Sequence, residues 1–191
     1  MIKVLKKVLV CTLAAALVVS TATVASAATA SPSSAVQPKN ATNVKAAKAN
    51  GVVNTVDTKK NGTAILKKIA KTTKKSVVVA GTVKVNGVSY AVTTINAKAF
   101  ANCSNVTTVT LPASIKTINK NAFYGAKKLK TINFKGTKAI TIKKGAFKGS
   151  GVRLSTWKMT FKVSKKMSKK EFNKLKKALK KAGFHGAVKR G

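Results

Sequence analysis

Acidic side chains are almost missing from this chain. Among 191 residues only Asp57 and Glu171 carry a carboxylate, against 39 Lys and Arg, so the formal net charge is +37 at pH 7. Glycoside hydrolysis needs two carboxylates flanking one bond, and these two stand far apart in the sequence. One histidine, His185, and two cysteines, Cys11 and Cys103, do not make a closed zinc set. Calcium takes several oxygen ligands, usually with carboxylates among them. No glycine-rich phosphate loop is present; Gly145, Gly149 and Gly151 punctuate repeat turns. Serine and lysine are plentiful, but no Ser–Lys motif is found. The sequence therefore reads as a non-enzyme with no cofactor and no metal.

Other scarcities narrow the reading. One Trp and two Tyr do not interleave with basic residues as base-stacking platforms do. The charge alone supports only non-specific, salt-sensitive attraction to nucleic acid. Arg153 and Arg190 are the only arginines. Lysine is a hydrated point charge without the planar fork of arginine, so this basicity suits diffuse attraction to polyanions. Long apolar runs are absent: Val8 to Val19 is too short to span a bilayer comfortably. With Lys3, Lys6 and Lys7 before it and Ala25-Ser26-Ala27 after it, this stretch reads as a secretory signal cleaved after Ala27; the competing reading is an uncleaved anchor. Cys11 does not make a lipoprotein signal, because Val10 stands where a small residue is needed. Cleavage leaves enough chain for one domain. It removes only Lys3, Lys6 and Lys7 from the basic residues, so the mature chain stays strongly cationic. No membrane span is then expected. Leu111-Pro112-Ala113-Ser114 is mid-repeat, so no covalent wall anchor is expected. Cys103 then has no disulfide partner; it fills a slot for a small side chain, or serves as a reactive thiol.

What the chain does contain is a repeat. Ile95-Asn96-Ala97-Lys98-Ala99-Phe100 returns as Ile118-Asn119-Lys120-Asn121-Ala122-Phe123 and, more loosely, as Ile142-Lys143-Lys144-Gly145-Ala146-Phe147. Phe100, Phe123 and Phe147 recur at a nearly constant step (123 − 100 = 23, 147 − 123 = 24). A period in this range marks a solenoid of small coils, each needing the next to bury its apolar side. Three positions after each Phe stand Cys103, Ala126 and Ser150. The alternating Val109-Thr110-Leu111 and Ile132-Asn133-Phe134 read as short strands buried on one face, whereas the Ala-Phe segment reads as a turn. The third unit decays at Gly149-Ser150-Gly151.

These residues resemble the BspA-type leucine-rich repeats of bacterial surface and secreted proteins. The matching run spans Phe100 to Phe123 and includes Val106, Val109, Leu111, Pro112, Ile115, Ile118 and Ala122. The resemblance covers about residues 52–185, because small lysine-rich members share an upstream hairpin and a downstream lysine-rich helix. It implies a solenoid that binds other molecules, without catalytic residues.

The flanks read as caps. Residues 28–50, rich in Ala, Thr, Ser, Pro, Asn and Lys, read as a disordered linker, with structure starting near Val52. Lys59-Lys60-Asn61-Gly62 is a hairpin turn, with Asp57 solvated or stabilising it. Val77-Val78-Val79 is placed as the strand preceding Phe100. Asn86-Gly87, between alternating residues, is a type I′ hairpin turn. Ser168 and Glu171 match a capping box, with Met167 and Phe172 at the staple positions. Phe172, Leu175, Ala178, Leu179 and Ala182 form one apolar stripe. Gly183 sits at C′, where Phe184 reaches Leu179, and His185 beyond it faces solvent. Phe172 follows Phe147 at nearly the repeat step (172 − 147 = 25), so the helix reads as a replacement for the next coil.

The fold expected is mainly β: a short leucine-rich-repeat-like solenoid of two to three coils with an N-terminal β-hairpin cap and a C-terminal helical cap. Its parts are a signal peptide (1–27), a disordered linker (28–50), an N-terminal β cap (51–95), the coils (96–160) and a capping strand and helix (161–191). The leading functional reading is a secreted or surface-held, adhesin-like binding protein, monomeric and held non-covalently on the wall. Its expected partners are anionic cell-wall polymers, acidic glycans or surface proteins, with no specific nucleic acid. Lys127, Lys128, Lys130, Lys165, Lys166, Lys169 and Lys170 are candidate polyanion contacts. Thr108, Thr110, Thr131 and Asn133 are candidate strand-face contacts. The alternatives are a structural wall-associated protein without a specific ligand, and a membrane-active cationic protein working through the lysine-flanked helix.

Overall fold

A computed structural model describes residues 37–49, 52–151 and 158–191. The expected signal peptide and residues 28–36 of the expected linker lie outside the described residues. The elements are β1 (Ala41–Ala49), β2 (Val52–Thr58), β3 (Thr63–Ile69), β4 (Ser76–Val78), β5 (Thr82–Val85), β6 (Val88–Ile95), β7 (Thr108–Leu111), β8 (Thr117–Ile118), β9 (Thr131–Phe134), β10 (Thr141–Ile142), β11 (Thr160–Val163), α1 (Lys169–Lys181) and β12 (Ala187–Arg190). They make two sheets. One runs β1-β2-β3-β6-β8-β10, with β5 paired to β6. The other, β12-β11-β9-β7-β4, is parallel throughout.

The coils repeat in three dimensions as they do in sequence. Phe100, Phe123 and Phe147 stack, with ring centroids 4.7 and 5.4 Å apart and planes within 18° and 8°. Each such pair adds about 0.5–1.5 kcal/mol to the burial of its area. Ile95 and Ile118, paired in register, are fully buried beside them. The N–H three positions after each Phe closes the turn onto the Phe carbonyl: Cys103 to Phe100, Ala126 to Phe123, Ser150 to Phe147. Close packing leaves only a small side chain there, and all three are buried. The turns also bond to one another. The Lys98 N–H donates to the Asn121 carbonyl (2.9 Å), and the Asn121 N–H donates to the Gly145 carbonyl (3.0 Å). All three residues hold positive φ, at 56°, 58° and 75°, a conformation that Gly and Asn adopt at least cost and Lys98 holds against a penalty of about 1–2 kcal/mol.

The N-terminal part departs from the expected layout in its first strand. Residues 41–49 of the expected linker form β1, antiparallel to β2, with register shifts on either side of Val44–Ala46. Strand propensity does not produce this element. The open edge of β2 offers unpaired backbone groups, Ala46 packs into the core, and the Asn43 N–H donates to Asp57 Oδ1 at 2.7 Å. Asp57 therefore fastens β1 rather than the turn, and its Oδ2 lies 3.4 Å from Lys67 Nζ. The β2–β3 turn closes by Gly62 N–H to the Lys59 carbonyl. Asn86 and Gly87, at φ 48° and 80°, form the β5–β6 turn. That hairpin makes the step from Val77 on β4 to Val109 on β7 longer than the step from Val109 to Ile132 on β9, yet all three share one register. The strand at Val77 is thus already a rung of the parallel sheet.

The C-terminal cap corrects two expectations. Ser168 caps α1, its hydroxyl accepting the Glu171 N–H at 3.2 Å. The reciprocal half of the box is not made: Glu171 Oε2 instead accepts the Ala139 N–H at 2.6 Å, because a backbone donor of the last coil lies within its reach. Phe172 is not the next rung. It is half-buried, with the Arg190 guanidinium 5.1 Å from its ring centroid. The rung is Phe184, 5.1 Å from Phe147 at a tilt of 59°. Phe184 is carried there by the helix C-terminus: Gly183 at φ 82° donates to the Lys180 carbonyl and the Phe184 N–H to the Leu179 carbonyl, the double bond of a Schellman turn. The Gly145 N–H then donates to the Ala182 carbonyl at 3.1 Å, where a further coil would have accepted it. After Phe184 comes β12, which pairs in parallel with β11.

Phe123 is enclosed by rings on both sides, so the pocket left by Phe123→Ala has little freedom to collapse. We expect a loss of about 3–5 kcal/mol in urea melts; a loss under about 1 kcal/mol would mean that the ring stack does not carry the core.

Candidate functional site

In the parallel sheet, alternate residues point inward. Val109, Leu111, Ile132, Phe134, Phe161 and Val163 are buried. Their neighbours make two outward rows fixed by register. One row is Ser76, Thr108, Thr131, Thr160 and Ala187; the other is Val78, Thr110, Asn133, Lys162 and Lys189. The structure thus brings together the four strand-face candidates Thr108, Thr110, Thr131 and Asn133, all half-exposed. It adds Lys162 and Lys189, so the second row passes from apolar through amide to cationic along the stack. The signal for them was present in Thr160-Phe161-Lys162-Val163, which aligns with Thr131-Ile132-Asn133-Phe134. The spacing from Phe147 to Thr160 exceeds that from Phe123 to Thr131, and this insertion concealed it.

Beside Asn133 and Lys162 the row opens into a cavity of about 410 Å³, lined also by Lys135, Ser164, Lys165 and Lys166 among others. Two of the expected lysines, Lys165 and Lys166, therefore meet one of the expected strand-face residues. The turn that carries them is pinned by the Lys166 N–H donating to Ser164 Oγ at 3.2 Å. Lys169 and Lys170 follow on the exposed first turn of α1. Cations there oppose the helix macrodipole, at about 0.3–1 kcal/mol each. Lys127, Lys128 and Lys130 do not join the group. They precede β9, whereas Lys135 and the cavity follow it, so the strand, at roughly 3.3 Å per residue, separates them. The Lys128 ammonium donates instead to Asn105 Oδ1 at 3.1 Å.

The arrangement concentrates positive charge against amide and hydroxyl groups, which suits holding oxyanions rather than transforming them. No side-chain carboxylate lines the cavity. Among the described residues no three of His, Cys, Asp or Glu gather where a metal ion could be held. No helix among them is long and apolar enough to cross a membrane. Cys103 is fully buried, and burial pushes its thiol up from 9.0 to about 11, so it fills the small slot rather than presenting a nucleophile.

Stacked coils with an outward-facing polar strand surface define a repeat-type binding module. The chain belongs to the BspA-type leucine-rich-repeat family: the family described as BspA type Leucine rich repeat region matches residues 84–189, in six copies. Among solved structures, a leucine-rich repeat protein from Bacteroides capillosus aligns with a TM-score of 0.51 and 18% identity, over 78% of this chain and 99% of that one. A leucine rich cell surface protein from Faecalibacterium prausnitzii aligns with a TM-score of 0.47 and 20% identity, over 63% of this chain and 33% of that one. No curated protein matches the chain.

Cys103 supplies a check on the packing around this register. Its folded-state pKa is raised, so the stability it gives is present below about pH 9 and is lost as pH rises toward 11. A rise of this size corresponds to at most about 2–3 kcal/mol. Cys103→Ala, which copies Ala126, should fold, resist thiol reagents and lack that alkaline loss. Equal alkaline melts of the two proteins would show that Cys103 is solvated.

Proposed function

We propose that the protein is a secreted or surface-held, non-enzymatic binding module that takes anionic polymers on the C-terminal half of its parallel sheet. The observation that carries this reading is the convergence of Asn133, Lys162, Lys165 and Lys166 on one cavity that no side-chain carboxylate lines. Polyanions such as wall polymers or acidic glycans have the chemistry to lie along that row. Lysine contacts of this kind add up to about 1 kcal/mol each near an anionic surface and fade beyond a Debye length. Non-covalent retention on an anionic wall follows from the same attraction. Membership of a repeat family, rather than a catalytic one, supports the binding role. The rival reading of α1 as a membrane-active helix is weakened, because Leu175, Leu179 and Ala182 of its apolar stripe are buried in the fold.

Charge reversals at two places separate a site from diffuse attraction. Lys162→Glu with Lys165→Glu and Lys166→Glu should weaken binding to a polyol-phosphate polymer by about tenfold or more. Lys59→Glu with Lys60→Glu, on the β2–β3 turn, should change it little. Salt of about 1 M, where the Debye length is about 3 Å, should release the wild type. Equal loss in both variants, scaled to charge, would leave a wall-retained protein with no specific ligand site.

A further inference from the structure

The solenoid ends in a groove with a chemistry different from that of the sheet face. Phe184 is the last rung of the Phe stack, and Val188 is the last rung of the inward column Val77, Val109, Ile132, Phe161. No described coil follows them. Val188 consequently stays half-exposed, although its predecessors in that column are buried. Between β12 and α1 these two side chains and Leu179 form part of the lining of an open cavity of about 490 Å³. The adjacent Lys176 and Lys177, and Lys180 about one turn further along the exposed face of α1, line the same cavity. The acidic residue of the helix does not offset them: Glu171 is turned away onto the Ala139 N–H.

A volume of this size falls in the range of small-molecule sites, which combine an apolar lining with a few convergent polar groups. We propose that this groove binds a single-chain anionic amphiphile, with its acyl or alkyl body against the half-exposed Val188 and the lysine stems, over a floor formed by the buried Leu179 and Phe184, and its phosphate or carboxylate head among the three lysines. The charge complementarity selects this occupant. A second copy of the chain would bring like-charged rims together, and a neutral apolar ligand would leave the lysines unanswered. The proposal goes beyond the polymer-binding sheet face, whose cavity shares no lining residue with this groove.

The test is calorimetric titration of the full chain with dodecyl phosphate below its aggregation threshold, beside inorganic phosphate and dodecyl maltoside. Dodecyl phosphate should bind, and the other two should bind about tenfold more weakly or worse. The Leu179 and Val188 methyl resonances of the wild type should shift on binding. Lys176→Glu with Lys177→Glu and Lys180→Glu, all at exposed positions, should lose about tenfold or more in affinity, while Lys59→Glu with Lys60→Glu keeps it. Three results would overturn the proposal: inorganic phosphate binding as tightly, dodecyl maltoside binding as tightly, or methyl resonances of Leu179 and Val188 that do not move.

Discussion

Successive turns of the described coils hand a backbone hydrogen bond from one to the next, and the rest of the structure depends on that chain of bonds having an end. Lys98 gives to Asn121, Asn121 to Gly145, and Gly145 to Ala182 at the C-terminus of α1. A buried N–H without an acceptor costs about 1–3 kcal/mol, so a stack of coils without a cap would leave such groups open at each step of its growth. The helix closes the series with its own last carbonyls, which a helix end leaves unpaired in any case. The Schellman turn then delivers Phe184 onto Phe147, so one local structure completes both the hydrogen-bond column and the ring column. Glu171 adds a third tie through the Ala139 N–H.

Both carboxylates of the chain are thus committed to backbone donors of neighbouring elements: Asp57 to Asn43, Glu171 to Ala139. Neither is placed to neutralise the lysines of the sheet face or of the end groove. Lys169 and Lys170 even sit where the macrodipole favours anions. Charge held against the interest of the fold is the ground for the proposal that it contacts something outside the chain. The outward row runs from Val78 to Lys189, so its own cationic end is C-terminal.

Much of this was legible in the sequence. The period of the Phe residues, the small slot at Cys103, Ala126 and Ser150, the Asn86-Gly87 turn and the helix caps at Ser168 and Gly183 are local patterns, and each appears where the spacing places it. The rest needed contacts that sequence spacing does not encode. The strand β1 forms from Ala, Asn and Lys because β2 offers an edge. The fourth ring is Phe184 because α1 lengthens the step that follows Phe147, and Phe172 mimics the expected period without taking the position. The alternation of Thr108, Thr110, Thr131 and Asn133 made their outward face readable. Lys162 and Lys189 were hidden because the steps from β9 to β11 and from β11 to β12 are longer than the repeat period.

Native-state hydrogen exchange tests the central claim most directly. In a nearest-neighbour stack, loosening one end weakens the adjoining coil most. Phe184→Ala should therefore lower amide protection strongly at Gly145, less at Asn121 and least at Lys98, with the β2–β3 hairpin unchanged. An unprotected Gly145 amide in the wild type, or a uniform loss at all three positions in the variant, would contradict a stack closed by its helix.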